Sequence, residues 1–147
     1  CTPPPGNAGL TPARVAATGG HTGERLRWGG TLASAHQLAD RTELEVLGYP
    51  LDRCGEPRTE VQPIGRFILV RPGYLETADR PIGSRLSATG LITGIREGQV
   101  GAAPYRFPLL QTNEVRWWTD EPPFRASTRP WVTIGIGGGS GGVGVLF

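Results

Sequence analysis

Between residues 26 and 118 the apolar positions recur mostly at a spacing of two, the period of a strand with one buried face. "LRWGGTLASAH" (26–36) alternates imperfectly around a glycine pair, which suits a strand with a bulge or a tight barrel bend. "TELEVLGYPL" (42–51) sets Leu44 and Val46 on one face and Glu43, Glu45 and Leu47 on the other. The short "QLADR" between them predicts an antiparallel pair. A loop rich in Gly and Pro follows, and then an apolar strand, "RFILVRPGYL" (66–75). "ETADRPIG" (76–83) reads as a loop with room for one helical turn. "SRLSATGLITGIREG" (84–98) is the cleanest alternation, with Leu86, Ala88, Gly90 and Ile92 opposite Arg85, Ser87 and Thr89. "YRFPLLQTNEVRWW" (105–118) predicts a last strand broken near Pro108. No long amphipathic pattern intervenes. The fold class expected is all-β, a small OB-like barrel of five to six strands, over residues 21–120.

The two ends differ from this middle. Residues 1–20, opening "CTPPPGNAGL", are Pro- and Gly-rich and read as an extended tether that holds a domain off a surface. Residues 121–147 read as a linker and a Gly-rich tail, in which Trp131–Ile136 could form a short strand. If ordered, the Ile/Val alternation of that tail could add a strand to a neighbour's sheet edge. A chain that opens on cysteine is expected to have lost a signal peptide. In bacteria the usual route leaves a diacylglyceryl thioether and an acylated amine on that residue, here Cys1. Each buried methylene contributes about 0.8 kcal/mol, so two or three chains on Cys1 would make attachment effectively permanent. Thr2, in place of an Asp, implies the outer membrane under enteric-type sorting. Cys54 then has two readings. With Cys1 acylated it is free or paired between chains, and with Cys1 unmodified a Cys1–Cys54 bridge is open to it.

Composition narrows the function classes. The 147 residues include 23 Gly and 14 Pro and carry a net charge of +2, too small to draw a nucleic acid, and none is expected. All 15 basic residues are Arg, a bias that reflects a GC-rich coding sequence better than any chemistry. Glu43 and Glu45 share a strand face about 7 Å apart, within reach of a glycosidase pair. Their face lies opposite Leu44 and Val46, so solvent is their expected environment and no catalytic role is assigned. His21 and His36 stand apart from any Cys or carboxylate at metal spacing, and no metal site is expected. Trp28, Phe67, Tyr74, Tyr105 and Phe107 beside Arg27, Arg66 and Arg106 could form a binding face. Strand alternation favours Arg outward and aromatic inward, and no small-molecule substrate is predicted. Trp117 and Trp118 cannot both enter one core, so one belongs at the surface, an interface or the headgroup layer. Protein contact is favoured because a tether would let the domain stand off the bilayer. The candidate contact residues are Trp117, Trp118, Trp131, Ile134, Ile136, Val143, Val145 and Phe147.

The series "RWGGTL", "TELEVLGYPLDRCGEPR", "GRFILVRPGYLE", "GSRLSATGLITG", "YRFPLL" and "RWW", in this order over residues 27–118, resembles the Slp (starvation lipoprotein) family of Gram-negative outer-membrane lipoproteins. Two departures stand out: Leu75-Glu76-Thr77 replaces the family's Leu-Asp-Pro, and Arg80 replaces an aromatic. The resemblance implies a lipid-anchored, periplasm-facing, OB-like barrel of no established enzymatic activity. Only Cys1, as the lipid attachment point, carries over as a functional position. The covalent diacylglycerol and N-acyl lipid there are the only non-protein groups expected. The partners expected are the outer membrane and other envelope proteins, the latter met through the C-terminal tail as an accessory or structural subunit. The alternative is a binding module for an envelope glycan or small ligand.

Overall fold

The computed structural model describes residues 1–119. One short helix, α1 (Pro12–Thr18), precedes six strands: β1 (Arg25–Gln37), β2 (Arg41–Gly48), β3 (Gly65–Pro72), β4 (Arg85–Val100), β5 (Ala103–Gln111) and β6 (Arg116–Trp118). They form one sheet in the order β1-β2-β3-β5-β4-β6, and β1 also pairs with β4. The ring β1-β2-β3-β5-β4-β1 therefore closes. All pairings are antiparallel except β3 with β5, where Ile68–Val70 run alongside Leu109–Gln111. The expected all-β, OB-like architecture is the observed one.

Closure depends on β1 serving two partners. Its first half, Arg25–Thr31, pairs with β4, and its second half, from Gly30 to Gln37, pairs with β2. The glycine pair sits at the changeover, where three strands crowd together. A Cβ on Gly30 would lie 1.9 Å from the Leu47 carbonyl oxygen, and one on Gly29 would lie 2.6 Å from that of Leu86. No side chain fits there. The β1 bulge expected at these glycines falls instead between Leu32 and Ser34, just past the bend. A second irregularity between Ile92 and Gly94 lets the long β4 leave β1 and continue as a hairpin with β5.

The inward set follows the alternation. Leu26, Trp28, Leu32, Leu44, Val46, Phe67, Leu69, Leu86, Ala88, Ile92 and Leu110 form one cluster, with Trp28 and Phe67 rings tilted at 5.1 Å. β5 runs unbroken through Pro108, contrary to expectation, because β5 meets β3 only from Leu109 onward and Pro108 lies ahead of that pairing. The break comes later, at 112–115, and β6 resumes beside Arg85–Ser87 of β4. The 76–83 loop contains turns but no helical turn.

The largest departure is at the N-terminus. Residues 1–20 are extended in part, but they do not hang free as a tether. Thr11 caps α1 by accepting from the Arg14 N–H at 3.2 Å, Pro12 opens the helix, and Gly19 at φ 65° ends it. Val15 is fully buried in the barrel cluster, and the Ala13 N–H donates to the Ile64 carbonyl at 3.2 Å. Asn7 exchanges backbone hydrogen bonds with β1, donating to Arg25 and accepting from Arg27. The Trp28 indole N–H reaches the Leu10 carbonyl at 2.6 Å. Val15 burial and this run of hydrogen bonds act against the loss of backbone entropy here.

Two substitutions check this account by chemical denaturation. Gly30→Ala should cost about 3 kcal/mol or more, because backbone must move to admit the methyl. Val15→Ala should cost about 1–2 kcal/mol, whereas a free tether predicts no change at that position.

Candidate functional site

Residues 4–7 of the N-terminal strap lie on the outer side of β1 and β4. After β2 the chain makes a small hairpin: Leu51 bridges Pro57, the Asp52 N–H donates to the Glu56 carbonyl at 2.9 Å, and Arg58 N–H donates to Pro50 at 2.8 Å. The Asp52 carboxylate accepts from the N–H groups of Cys54 and Glu56, which fixes the tip. Cys54 sits at this tip and Gly55, at φ +91°, follows it. Pro4 packs so close to Gly55 that an added Cβ would lie 2.8 Å from its ring. The Arg27 guanidinium donates to the Pro4 carbonyl, and the Thr89 hydroxyl donates to that of Pro5 at 2.7 Å. Arg85 forms an ion pair with Glu56 and so ties the hairpin to β4.

This packing brings Cys1 and Cys54 together as a disulfide with Cα atoms 5.7 Å apart. Of the two readings left open for Cys54, the structure draws the bridge. In this bridged form the Cys1 sulfur is committed and cannot also be the thioether attachment point expected from the sequence. Bridge and lipid are alternative states of one atom.

Under Pro4 and Pro5 lies a cavity of about 450 Å³, lined by Arg27, Ser87, Ala88, Thr89, Glu114, Val115 and Arg116. Arg27 also has a buried Nε with no acceptor among the described residues. Trp118 stands beside the cavity. Its indole N–H donates to the Ser87 hydroxyl at 3.0 Å, and the Arg116 guanidinium lies 3.8 Å from its ring centroid. Trp117 points the other way and packs against the core cluster. Arg80, where the resembled family has an aromatic, lies over the Trp117 ring at 5.0 Å. Trp131, Ile134, Ile136, Val143, Val145 and Phe147 fall outside the described residues.

The carboxylate pair resolves differently from its expected solvated face. Glu43 is only 7% exposed. The β4–β5 hairpin curls over the outer face of β2, so Arg96 donates to both Glu43 oxygens, at 2.6 and 2.9 Å, and Arg41 adds a contact at 2.9 Å. Hydrogen bonding from Arg96, ahead of that from Arg41 and against the effect of burial, holds the Glu43 carboxyl down to about 2. Glu45 pairs with Arg66 at 3.0 Å. The same hairpin places the Tyr105 hydroxyl to accept the Arg66 backbone N–H at 2.8 Å. A carboxylate held this acidic cannot donate a proton near neutrality, so Glu43 is a clasp and not a general acid. Among the described residues, no group of three or more His, Cys, Asp or Glu is placed to hold a metal ion. Of the aromatic candidates, Trp28, Phe67 and Phe107 are buried, Tyr105 is half-buried and stacks on Phe107, and only Tyr74 is largely exposed. They form no common binding face. The strap, the cavity and the Glu43 clasp escaped the sequence reading because each joins residues far apart in the chain.

A six-stranded β sheet in which β1 to β5 close in OB-like order, with residues 4–7 on its outer side and α1 packed into its core cluster, is thus the class of protein defined here. The chain belongs to the Outer membrane lipoprotein Slp family, which it matches over residues 4–136. The resemblance read from the motif series is thereby confirmed. An uncharacterized protein of Haemophilus influenzae is 30% identical over 108 residues, 72% of this chain and 58% of that protein. The uncharacterized lipoprotein YeaY of Escherichia coli K12 is 30% identical over 98 residues, 67% of this chain and 50% of that protein. The chain therefore spans between half and three-fifths of the length of these relatives. The solved structure of Schizosaccharomyces pombe Pot1pC bound to single-stranded DNA superposes at a TM-score of 0.33 and 9% identity, covering 74% of this chain and 87% of that one. A likeness that slight carries no argument.

Glu43 yields a signed pH prediction. Its folded pKa of about 2 lies below the ordinary 4.5, so its contribution is complete above pH 4.5 and is lost as the pH falls through 4.5 towards 2. Glu43→Gln should lose about 2 kcal/mol at pH 7 and flatten the fall in urea midpoint below pH 4.5.

Proposed function

We propose that the protein is a non-enzymatic accessory or structural subunit of the cell envelope, held on the periplasmic side of the outer membrane by acyl chains on Cys1. Family membership supports the lipoprotein reading. The observation that carries it to Cys1 is placement: the residue is exposed at the outer end of the strap, where acyl chains would meet solvent or bilayer and not the core. The absence of an enzymatic role is supported by the Arg-locked state of Glu43 and Glu45. Contact with other envelope proteins is assigned to the tail, through Trp131, Ile134, Ile136, Val143, Val145 and Phe147. Gentle detergent extraction of native membranes should recover the chain with a companion protein, and a lone monodisperse chain would contradict that part.

A second reading, a small-ligand or glycan-binding module, is favoured by one observation: the cavity of about 450 Å³ with Arg27, Ser87, Thr89, Glu114 and Arg116 in its lining. Polar groups convergent on a concave surface suit a small polar ligand. That reading requires a rise in melting temperature with a glycan fragment, abolished by Arg27→Gln.

The anchor is tested by intact mass and thiol count. The mature chain should be heavier by hundreds of daltons at residue 1 and should show one alkylatable thiol, Cys54. Cys1→Ser should release the chain from membranes. A chain of unmodified mass with no free thiol, recovered without detergent, would contradict the anchor.

A further inference from the structure

The strap turns a question of attachment into one of orientation. Only Cys1 to Pro3 separate the anchor position from Pro4, which is already fixed by Arg27 and by its packing on Gly55. Three residues span at most about 10 Å, against roughly 60 Å for a free tether of 18. A domain fixed that closely cannot stand off a bilayer to which Cys1 is attached. It must rest against it, and with one side.

That side is set by what surrounds the strap. Cys54 and Arg53 lie at the tip of the 51–57 hairpin, Arg85 holds the hairpin to β4, and Trp118 and Arg116 lie on the same outer side next to Ser87. An indole stacked with a guanidinium suits the headgroup layer, where an amphipathic ring has one apolar side and one wet side. The β4–β5 hairpin lies over β2 instead, where the Glu43–Arg96 and Glu45–Arg66 pairs are made. Trp118 was assigned to protein contact on the premise of a long tether, and the strap removes that premise.

We infer that the β1–β4 side of the barrel, with the 51–57 hairpin and Trp118, is a membrane-contact face that lies in the lipid headgroup layer. The inference rests on attachment through Cys1, proposed above, but not on how the attachment is made. The contact is imposed by the short anchor and completed by Arg53, Arg116 and Trp118, with no deep insertion.

The test imposes the anchor chemically. The Cys54→Ser chain is coupled through Cys1 to a maleimide-headgroup lipid in phosphatidylethanolamine/phosphatidylglycerol vesicles, and amide exchange is followed by mass spectrometry. Relative to the uncoupled Cys54→Ser chain, exchange should slow several-fold in peptides covering 51–60 and 112–118. It should be unchanged in 96–106. Equal slowing on both sides, slowing confined to 96–106, or none at all would overturn the orientation. Because coupling replaces cellular acylation, this result is separable from the intact-mass test of the anchor itself. A chain that the cell does not acylate can still show the face, and an acylated chain can fail to.

Discussion

The seating of residues 4–15 on the barrel is the constraint on which the functional reading turns. Asn7 lies along β1, Leu10 accepts from the Trp28 indole, and Val15 fills the core. The strap thus draws on core burial and on strand hydrogen bonds at once. Loosening it would open the cavity under Pro4 and Pro5 and leave Cys1 held to the barrel only through its bond to Cys54. The placement of Cys1 and the cavity are two consequences of one docked segment.

A second constraint makes that docking possible. A small ring of strands can close only where backbones approach closely, and at Gly29–Gly30 β1 passes from β4 to β2 with no room for a Cβ. On the far side, β4 is long enough to outrun β1 and fold back with β5 over β2, where Arg96 meets Glu43. Charge is used structurally on both sides, in the Glu43–Arg96 clasp and in the Arg85–Glu56 pair, while the strap and the indole of Trp118 lie on the second. The two faces of the barrel are therefore unlike.

The barrel itself was legible because its strands obey a period of two. Leu44 and Val46, and Leu86, Ala88 and Ile92, are buried as their alternation required. The strap was not legible in the same way. Thr11-Pro12 and Gly19 are proper start and stop signals for a short helix, but seven residues with one buried Val give no periodic signal against a Pro- and Gly-rich background. Glu43 departs from its expected solvated setting for a different reason. Alternation assigns a residue to a face and says nothing of what a distant hairpin lays over that face, and Arg96 lies 53 positions away. Cys1 and Cys54 were recognised as possible partners, yet only the packing of Pro4 on Gly55 shows why they meet. Trp117 and Trp118 are both half-buried, the first against the core cluster and the second on Ser87 and Arg116.

The central claim, that the N-terminal segment is part of the fold, has a direct reporter. The Arg27 backbone N–H donates to Asn7 and the Trp28 indole N–H to Leu10, so the strap alone covers both protons. Residue-resolved hydrogen exchange by NMR should find them protected to nearly the same degree as the amides of β2, since docked strap and barrel open together. Exchange at the rate of an unstructured peptide at both positions, with β2 still protected, would show the segment to be a free tether and contradict the account.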